Sequence, residues 1–173
     1  MTVPGEYEVA EESPYALLST KETRAWYAYM KVQLRLRYEM NRQLRADHGL
    51  SLADYDILVA LISEEDATLS VSSLATRIGW ERSRVSHHAR RMSERGLVHL
   101  QPSATDKRST AVSLTKLGRT SLAAASPGHI ALVKGMFLGV LDDQRTDLLA
   151  ETFEMIYEEL IRSGTLPRPV DHP

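Results

Sequence analysis

The chain has 173 residues, 43% of them hydrophobic and 25% charged, the balance of a folded domain and not of a disordered segment. It contains no cysteine, which excludes disulfide scaffolds, thiolate metal centres and thiol redox sensing. No apolar run approaches the roughly 18 residues of a membrane span, and MTVPGEYEVAEESP at the start lacks the basic and apolar regions of a secretion signal, so a cytoplasmic protein with no membrane partner is expected.

The net charge of −2 hides an uneven distribution. Residues 1–20 carry four acids and no base, and residues 142–173 have a net charge of −5. Between them, residues 77–108 carry eight bases (Arg77, Arg82, Arg84, Arg90, Arg91, Arg95, Lys107 and Arg108) against three acids. A basic block inside an acidic chain is the footprint of a polyanion site, with a solvated salt-bridge face as the plainer alternative.

In chain order, residues 1–19 read as a polar arm broken by Pro4, Gly5 and Pro14. A long helix is expected from Thr20 to about Asp47, because Trp26, Tyr29, Val32, Leu36, Met40 and Leu44 recur at three- and four-residue steps. Gly49 should stop it. Ser51-Leu-Ala-Asp54 has capping-box form and opens a helix to about Ser63, with Leu52, Tyr55, Leu58, Val59 and Ile62 inward. The polar segment EEDAT reads as a turn. A short helix over 71–78 then ends at Gly79, and another runs from Arg82 to Arg95 with Val85, His88 or Ala89, and Met92 inward.

LVHLQ (97–101) and AVSLT (111–115) alternate apolar and polar residues, so they predict a two-stranded hairpin around the polar loop PSATDKRST. Thr115 caps a helix starting at Lys116; Pro127 and Gly128 predict a kink or fresh start near Ser126. Asp142 and Asp143 suit the start of a last helix, with Leu149, Phe153, Ile156 and Leu160 on one face. TLPRPVDHP should be a frayed tail. The order predicts a mainly α protein with a winged helix–turn–helix.

Ser70–Met92 is the informative segment. Ala75 allows close helix approach, Gly79 supplies the positive φ of the turn, and Val85 lies on the inner face of the second helix, as a helix–turn–helix requires. On the outer face stand Ser83, Ser86, His87 and Arg90, flanked by Arg82, Arg84 and Arg91. Short hydroxyls permit close approach to base edges, and arginine forks onto guanine N7 and O6 or neutralises phosphate. Lys107 and Arg108 make a basic hairpin tip suited to a minor groove, with Asp106 placed to orient Arg108.

These residues resemble the MarR family of bacterial winged-helix regulators. The resemblance rests on GLSLADYDILVAL (49–61), LSVSSLATRIGW (69–80), ERSRVSHHARRMSERGLV (81–98) and the wing pattern at Asp106, Arg108, Leu114, Thr115 and Gly118, and covers roughly residues 21–163. It implies a winged helix–turn–helix DNA-binding domain over 50–115, with helices over 20–48 and 116–165 forming a dimerisation region and 166–173 as a tail. It further implies a homodimer on a palindromic operator in double-stranded DNA, most often as a repressor, and often a small aromatic or phenolic effector. The family's groove-reading positions fall on Arg82, Ser83, Arg84, Ser86, His87 and Arg90, and its wing positions on Asp106 and Arg108. Glu81 stands where many relatives have Ser, Asp or Thr, a weaker cap. His88 stands where an apolar residue is common, so a partly buried structural histidine is expected there.

Trp26, Tyr29 and Tyr55, with Tyr27 and Tyr38, have two readings: lining of an effector pocket, or packing. The six histidines show no metal-ligand spacing, so neither a metal nor a cofactor is expected. No nucleophile–base–acid set, phosphate-binding loop or catalytic carboxylate pair is present, which argues against an enzyme. The competing reading is a winged-helix protein–protein adaptor that does not bind DNA.

Overall fold

The computed structural model describes residues 9–102 and 109–170. The chain divides into two units, Met1–Glu39 and Met40–Pro173, and the division falls within the first long helix, α1 (Thr20–His48).

In the first unit, Ser13 caps a single 3-10 turn at Pro14–Leu17, its Oγ accepting from the Tyr15 N–H at 3.3 Å. Ser19 and Glu22 then close the start of α1 reciprocally. Ser19 Oγ accepts from the Glu22 N–H at 3.3 Å, and Glu22 Oε2 accepts from the Ser19 N–H at 2.8 Å. Such a capping box satisfies donors that the first turn leaves unpaired. Tyr15 meets Tyr27 edge-on, with ring centroids 5.9 Å apart.

The second unit holds α2 (Leu52–Ile62), β1 (Thr68–Ser70), α3 (Val71–Ile78), α4 (Arg82–Glu94), β2 (Val98–Pro102), β3 (Thr110–Leu114), α5 (Lys116–Met136) and α6 (Asp143–Ser163). Its core is built from Leu44 at the end of α1, Ile57, Leu58 and Leu61 of α2, Leu74 of α3, Val85, Ala89 and Met92 of α4, and Val98 and Val112 of the sheet, each with almost no exposed surface. Burying an aliphatic side chain of this size contributes roughly 1.5–3 kcal/mol, so the end of α1, helices α2, α3 and α4 and the sheet are held by one shared apolar interior. Ile62, expected inward, is exposed because it is the final residue of α2.

The fold is the mainly α winged helix–turn–helix that the sequence predicts, with differences in detail. The sheet has three antiparallel strands, not two, in the order β1-β3-β2. Thr68, Leu69 and Ser70 pair with Ser113, Val112 and Ala111, and Thr68 Oγ1 donates to Ser113 Oγ at 3.0 Å. Three residues are too few to display strand periodicity, so β1 is not foreseen, and only its first residue, Thr68, falls in the segment read as a turn. The hairpin strands each sit about one residue from their expected bounds.

Helix α5 runs unbroken through Pro127, where a kink or fresh start was expected. Leu122 and Ala125 before the proline and His129 after it are all buried, so packing on both sides holds the segment helical. Ser126 Oγ also donates to the Leu122 carbonyl at 2.8 Å, adding a bond next to the donor that proline lacks. By length and composition alone, the segment Lys116–Val140 reaches the threshold of a membrane span, with a mean hydropathy of 1.2 over its most apolar window. The sequence reading gave no such run; of its side chains Leu122, Ala125 and His129 are buried, and most of the segment is not.

The tail after α6 is not frayed over its described part. Arg168 pairs with Glu158 of α6, and Arg77 of α3 donates to the Val170 carbonyl at 2.7 Å. Arg77 also reaches Glu64 Oε1 at 3.3 Å.

The joint between the hairpin and α5 is tight. Thr115 Oγ1 donates to the Gly96 and Leu97 carbonyls at 2.7 and 2.9 Å and accepts from the Gly118 N–H at 2.9 Å. A Cβ at Gly118 would lie 2.2 Å from the Leu97 carbonyl oxygen and 2.8 Å from Leu114 Cδ1. Gly118→Ala is therefore expected to destabilise the protein by about 1–3 kcal/mol despite the better helix propensity of alanine, which a shift of the urea midpoint measures.

Candidate nucleic-acid interface

Helices α3 and α4 are set by local chemistry on either side of a short turn. Ser70 caps α3, its Oγ accepting from the Ser73 N–H at 3.0 Å. Gly79 ends α3 at φ 66°, the left-handed conformation that glycine adopts without steric cost. The Trp80 N–H then donates to the Ala75 carbonyl at 2.9 Å. Glu81 occupies the cap position of α4 without a side-chain hydrogen bond, in keeping with its weak capping propensity.

Val85, Ala89 and Met92 of α4 are fully buried. At 3.6 residues per turn, Ser83, His87 and Arg90 then lie on the opposite side of the helix, with Ser86 on one flank and Arg84 and Arg91 on the other. All of these, and Arg82, are exposed. The helix thus brings together four arginines, a histidine and two serines on a solvent-facing surface. Of the predicted site, Asp106, Lys107 and Arg108 lie outside the described residues.

Behind that surface sits a buried carboxylate. Asp54 completes the capping box of α2, accepting from the Ser51 N–H at 2.8 Å while Ser51 Oγ accepts from the Asp54 N–H at 3.0 Å. Its two oxygens also accept from His88 Nε2 at 2.9 Å and Arg95 Nη1 at 2.8 Å. Burial alone would raise the Asp54 pKa, but the hydrogen bonds from His88, Arg95 and Ser51 hold it well below the usual carboxylate range. Arg95 extends the tie to the Gly49 carbonyl at 2.8 Å. Arg91 Nη2 lies 3.0 Å from His88 Nδ1; arginine only donates, so Nδ1 accepts and the imidazole proton on Nε2 faces Asp54. His88 is the partly buried structural histidine that the sequence predicts. The capping role of Asp54 was legible in Ser51-x-x-Asp54, whereas its bonds to His88 and Arg95, 34 and 41 residues away, were not.

The MarR family profile matches residues 48–109. The chain is 30% identical to AbsC, a MarR family transcriptional regulator from Streptomyces coelicolor, over 83% of this chain and 96% of that one, with a TM-score of 0.77. The chain belongs to the MarR family of transcriptional regulators. Sco3205, a MarR family transcriptional regulator from Streptomyces coelicolor determined in complex with DNA, is 28% identical over 91% of this chain and 98% of that one, with a TM-score of 0.81. CouR from Rhodococcus jostii RHA1, determined bound to p-coumaroyl-CoA, shares the fold at 20% identity, covering 76% of this chain and 90% of that one, with a TM-score of 0.67. None of the curated proteins compared with the chain matches it. MarR family members are transcriptional regulators rather than enzymes, in agreement with the sequence reading.

The three aromatic residues named for an effector pocket have different settings. Trp26 and Tyr29 are half-exposed on α1 in the first unit, with ring centroids 5.4 Å apart. Tyr55 is buried in the second unit, its hydroxyl 3.1 Å from Ser126 Oγ and its ring centroid 4.3 Å from that of His129. His129 and Gln43 each carry a buried polar atom, Nδ1 and Oε1, without a hydrogen-bond partner among the described residues. Burial holds the His129 pKa below its ordinary value. Sequence periodicity missed His129 because a lone histidine on a long helix carries no pattern of its own. Among the described residues, no group of three or more His, Asp or Glu side chains is arranged to hold a metal ion.

Because folding lowers the Asp54 pKa, its contribution is complete above about pH 4 and fades as the pH falls toward the depressed folded value. Asp54→Asn is expected to cost about 2 kcal/mol near neutral pH, with the gap to wild type closing in stronger acid. Urea denaturation across that pH range checks both the size and the sign.

Proposed function

We propose that this MarR family member is a homodimeric, sequence-specific DNA-binding transcriptional regulator, an effector-responsive repressor in character. The observation that carries the reading is the exposed face of α4. Arg82, Ser83, Arg84, Ser86, His87 and Arg90 are all exposed, and Ser83, His87 and Arg90 lie opposite the stripe that fixes the helix in the core. In this reading α4 enters the major groove, arginines contact guanine edges and phosphates, and the hydroxyls allow close approach. The wing tip, Asp106, Lys107 and Arg108, is proposed on sequence alone to reach the flanking minor groove. The DNA-bound relative Sco3205 supports this assignment.

The dimer is supported by α6. Not one of its residues is buried, and Leu148, Phe153, Met155, Ile156, Tyr157 and Leu160 are exposed. An apolar helix surface of this extent is suited to burial against a second copy. In α1, Val32 and Leu34 are exposed as well. Twofold symmetry would then require two half-sites about one helical turn, roughly 10 base pairs, apart in a palindromic operator. An effector of aromatic or phenolic type is proposed near Tyr55; Trp26 and Tyr29, the other residues named for it on sequence, belong to the first unit. The p-coumaroyl-CoA bound to CouR and the unpartnered polar atom of His129 beside Tyr55 support it. Such a ligand shifts DNA affinity only through unequal binding to the two states.

Two measurements test the reading. Sedimentation should give twice the 19.4 kDa of one chain. Affinity for a footprinted genomic site should fall steeply with salt, the logarithmic slope approaching about −0.9 per phosphate neutralised. Arg84→Ala and His87→Ala should weaken binding and relax base preference. Charge reversal at Arg84 and Arg90 that leaves activity intact would favour the protein-binding adaptor instead.

A further inference from the structure

The guanidinium of Arg84 is placed before any ligand arrives. Its Cζ lies 3.9 Å from the centroid of the Trp80 ring, a cation–π stack between a residue of the turn and a residue of α4. The Trp80 ring is itself held. Its backbone is fixed by the bond to Ala75, and the indole packs half-buried against the core. It meets the His88 ring edge-on, with centroids 5.7 Å apart and planes at 84°. His88 is anchored on Asp54 at 2.9 Å, and Asp54 on the first turn of α2. A continuous run of contacts therefore leads from the buried cap of α2 to a guanidinium on the exposed side of α4.

Stacking and base reading use different parts of an arginine. The stack occupies one face of the guanidinium plane, whereas its hydrogen-bond donors point outward within that plane. An arginine lying on Trp80 can thus keep its edge free to fork onto guanine N7 and O6. A side chain ordered in advance also loses less rotamer freedom on binding. A lysine at this position would retain the charge but not the planar edge.

We propose that Trp80 is a positioning residue that sets base preference through Arg84, with His88 and Asp54 holding the ring. The inference rests on α4 as the DNA-reading helix and adds a residue that faces the arginine and not the duplex.

The test begins with duplexes selected by the wild-type protein from a randomised pool long enough for two half-sites. Affinity for the selected duplex is compared with affinity for a scrambled duplex of the same composition at fixed salt. Trp80→Leu should lower that ratio by about two- to fivefold, and Trp80→Phe, which keeps an aromatic face, should lower it less. In an Arg84→Ala background Trp80→Leu should have no further effect on the ratio. Thermal melts monitor folding, and if the leucine variant does not fold, the same cycle is run with Trp80→Met, which keeps bulk without a ring. An equal loss with and without Arg84 would make Trp80 a packing residue and overturn the proposal, as would a phenylalanine variant as impaired as the leucine one. A selection that yields no preferred duplex would overturn DNA reading by α4 itself, and this assignment with it.

Discussion

The arrangement of α4 depends on one buried charge. Asp54 has almost no exposed surface, yet it remains ionised because every direction of its carboxylate is answered: a backbone N–H from its own helix cap, an imidazole from the middle of α4 and a guanidinium from the end of α4. An ionised carboxyl in an apolar interior is costly unless it is fully hydrogen-bonded, so these partners are a condition of the fold. The consequence is directional. Apolar contacts through Val85, Ala89 and Met92 bury one face of α4 but tolerate small rotations about its axis, whereas two hydrogen bonds to a fixed carboxylate do not. The rotation decides which side chains face outward.

The same anchor joins two kinds of stability. The cap of α2 needs Asp54 for its first turn, and α4 needs Asp54 for its orientation. Ser51, Asp54, His88 and Arg95 are therefore coupled, and losses at these positions should not add as independent terms. Arg82, Arg84, Arg90 and Arg91 of α4 stay at the surface. Arg95, just past the end of α4, turns its guanidinium onto Asp54 and the Gly49 carbonyl, whereas Arg82 and Arg90 are exposed.

Much of this was legible in the sequence because it is local. Ser51-x-x-Asp54, Gly79 between two helices, the Val85/Ala89/Met92 spacing and the Thr115 cap each carry their meaning within a few residues. The outward set on α4 follows from helical periodicity once the inner stripe is known. Some unread features need tertiary contacts. His88 and Arg95 find Asp54 across the core, whereas Trp80 and Arg84, four residues apart, were a local pair that went unread. The capping pair Ser19 and Glu22 was an available local signal that went unread. Strand β1 is too short to announce itself, and α5 crosses Pro127 because buried residues lie on both sides. The exposed apolar side of α6 was visible in the sequence as an apolar face, but a face does not state what covers it.

The joint at Thr115 and Gly118 has a mechanical consequence. The first turn of α5 is fastened to the foot of the hairpin at Gly96 and Leu97, with no room for even a methyl group between helix and strand. Helix and hairpin base behave there as two arms of one crank. A strand of five residues spans about 17 Å, so a tilt of about 10° at the joint would carry the far end of the hairpin through roughly 3 Å. That travel is about the length of a hydrogen bond, enough to break a polar contact made at the far end of the strand.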